Sequence, residues 1–391
     1  MISVDQALSH VFKLVRPVDT EAVPVTQSVG RVLAKPGVAR ADQPPFASSA
    51  MDGYAVAAAA PGDTLTVIGE SAAGGRFEGA VGPGQAVRIF TGAPVPAGAT
   101  KVVIQEDVTR SGASITLAAD IESANYIRPA GGDFKAGDQV SAPRVISPVD
   151  AALLAAMQTD PVIVRRRPEV ALIATGDELV APGERPGPDQ IVATNTLALA
   201  AMIEAAGGIA RRLPIAGDTM EALASAFEMA AGADLIVTSG GASVGDHDLV
   251  RAAGEAAGMT QSFYKVAMRP GKPLMAGRMG DVPVIGVPGN PVSAIVCGTV
   301  FMLPALRVML GFAPSPVARQ LMPLAGDIGA NGPREHYMRA RLTRAGVLVA
   351  ERQDSSLLSV LAQADALVVR PPHDPARAAG DVVEVIPLGQ R

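Results

Sequence analysis

Tryptophan is absent from this chain, aromatic residues make up 3% of it, and there is a single cysteine, Cys297. The lone thiol excludes an intrachain disulfide and a cysteine-built zinc site, and it suits a reducing compartment, so a cytoplasmic location is expected. The four histidines, His10, His247, His336 and His373, are too scattered to read as a transition-metal cluster. Scarce aromatics remove the stacking platforms that single-stranded nucleic acid needs, and a net charge of -5 with both signs interspersed offers no basic face. No nucleic-acid partner is expected. Met1-Ile-Ser-Val-Asp-Gln-Ala-Leu8 lacks the basic and apolar segments of a signal peptide. The longest apolar stretch, Val292 to Leu306, falls short of the ~20 residues of a membrane span and contains Pro304, so it is expected as a buried helix and no membrane association follows.

What the chain does have is length and short β-branched runs ending in glycine, proline and acidic residues. At 391 residues it is long enough for several domains. Ser3, with Gln6 three residues on, marks the start of an amphipathic helix through Val15, and the prolines of Arg40-Ala-Asp-Gln-Pro-Pro-Phe46 form a rigid boundary. Between Thr64 and Val108, short β runs separated by Gly/Pro turns predict a small β domain. Ser147 is the expected cap of a helix through Met157, and Arg165-Arg-Arg-Pro168 is the next linker. From Glu169 to Gly311 strand and helix patterns alternate: strands at 170–174, 209–215, 235–238 and 284–287, helices at 195–206, 220–231, 249–257 and 292–310. That alternation predicts an α/β layer domain with a largely parallel sheet. Phe312 to Arg391 reads as a further small β domain.

The fold class expected is therefore multidomain α+β: a central three-layer α/β domain with a mostly parallel sheet, N-terminal mixed and β domains, and a small C-terminal β domain. The expected division is 1–46 with 126–166 as a discontinuous linking domain, 47–125 as a small β domain, 167–311 as the α/β domain and 312–391 as the C-terminal β domain.

In a parallel sheet the loops after the strands collect at the carboxyl edge, where ligands bind. Asp177, Glu178, Asp218, Ser239, Asp246, Asp248, Pro288 and Asn290 should share that rim. The loops entering helices offer unpaired backbone N–H groups to a phosphate. Carboxylates beside such a phosphate would repel it unless a hard cation with oxygen ligands intervenes, so the rim reads as a Mg²⁺-phosphate site. Lys265, Arg269 and Lys272, in the connection crossing the rim, supply positive charge for phosphates or an oxyanion.

Several motifs in one order, Ser49-Ala-Met-Asp-Gly-Tyr-Ala55, Phe90-Thr-Gly-Ala-Pro94, Ala174-Thr-Gly-Asp-Glu-Leu179, Ser239-Gly-Gly-Ala-Ser-Val-Gly-Asp-His-Asp248, Arg269-Pro-Gly-Lys-Pro273 and Val287-Pro-Gly-Asn-Pro-Val-Ser293, resemble the molybdopterin molybdenumtransferase family, which includes the gephyrin E domain. Where family members carry Lys-Pro-Gly-Lys-Pro, this chain has Arg269, which keeps the charge. The resemblance implies a homodimer of four-domain subunits, contact with other molybdenum cofactor biosynthesis proteins, and insertion of molybdenum from molybdate into adenylylated molybdopterin with release of AMP, dependent on Mg²⁺. It assigns Glu178, Asp218 and Asp248 to metal and pyrophosphate. Ser239, Gly240, Gly241 and Ser243 with Pro288, Gly289, Asn290 and Pro291 fall in the pterin phosphate cradle, and Lys265, Arg269 and Lys272 carry molybdate or phosphate charge. Arg339 and Ser355 align with site residues of the C-terminal domain. Asp52 and Thr91 would complete the pocket, with those of one subunit facing the Asp218/Asp248 rim of the other. Two other readings stay open: a molybdopterin adenylyltransferase, which the α/β domain alone resembles, and a non-catalytic scaffold of the gephyrin E-domain type.

Overall fold

The structure is a computed structural model that describes residues 1–241 and 249–389. The chain divides into two compact units, Met1–Glu21 with Arg165–Arg391, and Ala22–Val164.

The larger unit is built on a six-stranded sheet. Its strands are β1 (Glu169–Ala174), β2 (Ile209–Arg212), β3 (Leu235–Ser239), β4 (Met259–Tyr264), β5 (Met275–Met279) and β6 (Val282–Val287), in the spatial order β2-β1-β3-β6-β5-β4. The pairs β2/β1, β1/β3 and β3/β6 are parallel, whereas β5 runs against both β6 and β4. The period-two alternation of each strand sorts its side chains onto two faces. Val170, Leu172, Leu235, Val237, Ile285 and Val287 pack with α1 (Val4–Leu14), α2 (Asn195–Ala205) and α5 (Pro291–Met309). Ala171, Ile173, Ile236 and Val284 pack with α3 (Met220–Met229) and α4 (Leu249–Ala256). Both faces are thus covered, which is why β1, β3 and β6 read as almost unbroken apolar runs.

Helix α1 begins in a capping box, Ser3 Oγ accepting from Gln6 N while Gln6 Oε1 accepts from Ser3 N. Helix α5 contains a π turn at Gly298–Met302, directly ahead of Pro304, whose nitrogen has no hydrogen to donate. Among the described residues this is the one helix long and apolar enough to cross a membrane, and 83% of its apolar window is buried against the protein.

At the amino edge of the sheet, Asp234 accepts from Arg166 Nη1 (2.8 Å), Arg166 Nη2 (2.7 Å) and the Glu169 N–H (2.7 Å). Burial acts to raise the Asp234 pKa, and these hydrogen bonds outweigh it, leaving the carboxyl below its ordinary value.

A second sheet follows α5: β7 (Gln320–Pro323), β8 (Glu335–Thr343), β9 (Gly346–Val349), β10 (Ala366–Arg370) and β11 (Val382–Pro387). Its outermost member is the two-residue strand Met268–Arg269, paired parallel with Glu335 and His336 at the start of β8. Arg269, in the connection between β4 and β5, is thereby paired with the backbone of the C-terminal sheet.

The smaller unit holds a six-stranded β sheet in the order Lys101–Ile104, Gly53–Val56, Gln85–Ile89, Thr64–Ser71, Ser114–Leu117, Val108–Ser111. Tyr54 and Val56 point into one apolar cluster and Ala55 into another, as alternation requires. The helix Pro148–Ala156 starts at Ser147, whose hydroxyl accepts from Asp150 N.

Candidate active site

The carboxyl ends of β1, β3 and β6 open onto a cavity of about 670 Å³. Its wall includes Thr175, Gly176 and Glu178 from the loop after β1, Asn195 at the start of α2, Asp218 before α3, Ser239, Gly240 and Gly241 after β3, and Pro288, Gly289, Asn290 and Pro291 entering α5. Another cavity of about 510 Å³, between α2, α5 and the helix Leu358–Ala362, is lined by no charged side chain. Chemistry therefore belongs to the first.

The glycines are required by geometry. Gly240 and Gly241 have φ of +104° and +64°, and a Cβ on Gly240 would press on the Thr175 carbonyl and lie 2.8 Å from its hydroxyl. A Cβ on Gly241 would run into Val250 of α4. The turn after β3 thus lies directly on the end of β1. It also touches the α5 loop, since Gly240 N donates to the Val287 carbonyl at 3.3 Å. Asn195 joins the two loops, donating from Nδ2 to Ser239 Oγ (2.9 Å) and to the Gly289 carbonyl (2.7 Å). Ser355 is held at the same place: Asn290 Nδ2 donates to its hydroxyl at 3.2 Å, and its carbonyl accepts from Val292 N at 3.2 Å.

Two carboxylates face this cradle. The Asp218 N–H donates to Asp177 Oδ1 at 3.0 Å, so Asp177 fixes the loop that carries Asp218. The Glu178 carboxylate folds against Gly176, where a Cβ would come within 2.8 Å of its Oε1. Among the described residues neither Glu178 nor Asp218 forms an ion pair. Two carboxylates with no cationic partner offer oxygen donors only, the donor type that a hard divalent cation such as Mg²⁺ takes. Asp248, the third expected ligand, lies outside the described residues, as do Ser243 and Asp246.

Lys265, Arg269, Lys272 and Arg339 do not line this cavity, which reaches Pro273 of the same segment. Lys265 Nζ stands 4.9 Å from the centre of the Tyr264 ring. Arg339, on β8, is fully buried; Nη2 donates to the Asp354 carbonyl at 2.9 Å, while Nε and Nη1 have no partner among the described residues. Burial lowers the Arg339 pKa first and the Arg269 charge second, with Asp354 opposing both. His336, 6% exposed, is pushed down to about 4 by burial and then by Arg269, Arg339, Arg334 and Arg370, so it is neutral at pH 7. Arg370 is matched by Asp374. Arg339, Arg269 and Arg334 have no ion-pair partner among the described residues and form a cationic centre. Reading the histidines as scattered gave no hint of His336, because strand pairing brings Arg269 and Arg370, distant in sequence, beside it.

Asp52 and Thr91 belong to the smaller unit and are brought together there. Asp52 Oδ1 accepts from Thr91 N (2.7 Å) and Thr91 Oγ1 (2.9 Å). These bonds, the backbone one first, lower the Asp52 pKa.

An α/β sheet with glycine loops and unpaired acids at its carboxyl edge, continued into a β domain, places the cavity where α/β enzymes bind their ligands. Three family descriptions match the chain in series: "MoeA N-terminal region (domain I and II)" over residues 2–157, "Probable molybdopterin binding domain" over 171–308 and "MoeA C-terminal region (domain IV)" over 322–388. The molybdopterin molybdenumtransferase of a Nostoc species is 34% identical, covering 99% of this chain and 94% of that protein. Molybdopterin molybdenumtransferase 2 of Mycobacterium tuberculosis is 34% identical, covering 98% and 99%. The crystal structure of a molybdopterin biosynthesis MoeA protein from Pyrococcus horikoshii superimposes with a TM-score of 0.87 at 29% identity, covering 100% of both chains. The chain belongs to the MoeA family of molybdopterin molybdenumtransferases.

Proposed function

We propose that this enzyme inserts molybdenum from molybdate into adenylylated molybdopterin and releases AMP. The observation that carries the reading is the single cavity that places two glycine-bearing phosphate loops opposite the unpaired carboxylates Glu178 and Asp218. Backbone and hydroxyl donors after β3 and at the start of α5 bind the pterin phosphate, and the cavity walls keep the pyrophosphate link near the two acids. Glu178 and Asp218, with Asp248, would hold Mg²⁺, which when bound supplies positive charge to offset that of the phosphates.

Molybdate, a tetrahedral oxyanion, is assigned to Arg339 and Arg269, with Lys272 and Lys265 adding charge and Ser355 a hydroxyl. The nearby charges of Arg269 and Arg339 support this assignment. The Asp52–Thr91 pair is assigned to the same reaction, the chain to a homodimer, and the four-part division at 1–46 with 126–166, 47–125, 167–311 and 312–391 is retained.

The test is direct. Purified protein with adenylylated molybdopterin, molybdate and Mg²⁺ should release AMP, and excess EDTA should stop it. No AMP from the wild-type protein under these conditions overturns the reading, and full release in EDTA removes the metal from it.

A further inference from the structure

We infer that Asn195 is the positioning residue of the phosphate cradle, locking two loops together and forcing the Ser239 hydroxyl to act as a donor to the bound phosphate. The inference rests on the proposed function for the identity of the ligand, and on the geometry alone for the rest.

Asn195 opens α2, where asparagine usually serves as a helix cap. Here the residue flanking the helix is Thr194, whose side chain caps nothing, and the Asn195 amide is turned into the cavity wall. Its Nδ2 lies 2.7 Å from the Gly289 carbonyl and 2.9 Å from Ser239 Oγ. A carbonyl can only accept, so the atom facing Gly289 must be the amide nitrogen, and both of its hydrogens are used. Ser239 Oγ accepts one of them. Its own hydrogen must then point elsewhere, and among the described residues no acceptor takes it.

A second orphan lies under the same turn. Thr175 Oγ1 is buried, the residue being 2% exposed, and has no partner among the described residues. It sits 2.8 Å from a Cβ position on Gly240 and 3.1 Å from one on Gly241. The Ser239 hydroxyl, with a hydrogen to give beside backbone that no side chain can occupy, fits a ligand that only accepts. Phosphate oxygens do so. Without the Asn195 bridge, Ser239 could turn its hydrogen to the Gly289 side, and the two loops would lose the tie that sets their spacing.

The test is a double-mutant cycle on the AMP-release reaction. Asn195→Ala should raise KM for adenylylated molybdopterin about tenfold and change kcat less, the effect of one lost positioning interaction. Asn195→Asp, nearly isosteric but without donors, should be worse, because it sets a carboxylate against the Gly289 carbonyl and beside a phosphate. The Asn195→Ala, Ser239→Ala double variant should lose less than the product of the two single losses, since part of the Asn195 effect runs through Ser239. Unchanged KM in both Asn195 variants, or fully multiplicative losses in the double variant, overturns the inference. If the wild-type protein releases no AMP, the functional reading fails separately. The same variants are then titrated calorimetrically with inorganic pyrophosphate, where equal affinity in wild type and Asn195→Asp counts against the role of Asn195.

Discussion

The two edges of the larger sheet carry acids in opposite circumstances. At the amino edge, Asp234 takes both terminal guanidinium nitrogens of Arg166 and one backbone N–H, and its charge is matched. At the carboxyl edge, Glu178 and Asp218 face a cavity with no cation among the described residues. The same residue type, on the same sheet, holds the fold together at one end and leaves its charge for a ligand at the other. An acid before a helix or strand is therefore uninformative until its partners are known.

The largest expected effect follows from exchanging those roles. Asp218→Asn and Glu178→Gln should each lower kcat for AMP release by roughly 10²–10³-fold while the melting temperature stays within a few degrees, because rim carboxylates contribute little packing. Asp234→Ala should do the reverse, costing roughly 1–2 kcal/mol of stability through the lost Arg166 and Glu169 N–H bonds, with turnover per folded molecule preserved. Denaturant melts and initial rates on the same preparations check both, and an Asp234→Ala protein that is stable but inactive would erase the distinction.

The next test concerns the basic end of the C-terminal sheet. Arg339→Met removes a buried guanidinium with two unsatisfied nitrogens, so stability should hold or rise. KM for molybdate should nevertheless increase by roughly tenfold to a hundredfold, the effect of losing charge-assisted contacts to an oxyanion. A melting-temperature drop with unchanged KM would mark Arg339 as structural.

The last effect is a pH dependence. His336 has a folded pKa of about 4 against an ordinary value of 6.5. Between these values the unfolded chain binds the proton and the folded chain does not, so stability is complete above about 6.5 and falls as pH drops toward 4. The loss is at most about 3 kcal/mol, and a His336→Asn variant should lack that component of the acid-side decline. A wild-type curve flat from pH 7 to pH 4 would contradict it.

Much of this was legible in the sequence where the physics is local. The runs at β1, β3 and β6 and the glycines after β3 reveal themselves because covered parallel strands are apolar throughout and positive φ selects glycine. Strands β4 and β5 were missed: Met275-Ala-Gly-Arg-Met279 has weak strand propensity, and it is held by pairing on both sides. Asn195 was read only as a helix start, since the ordinary reason for asparagine there needs no second loop. The cluster of Arg269, His336 and Arg339 depends on the register of a strand pairing that no spacing rule predicts.

That pairing also limits how the protein can be taken apart. Met268–Arg269 belongs by chain order to the α/β domain but by hydrogen bonding to the C-terminal sheet. A chimera joined in the linker near Pro314-Ser-Pro316 would graft a foreign sheet onto a native edge strand. A working exchange of C-terminal segments between relatives must carry the segment around residues 268–269 along with the graft. The tail and that short internal segment form one hydrogen-bonded sheet written in two places along the chain.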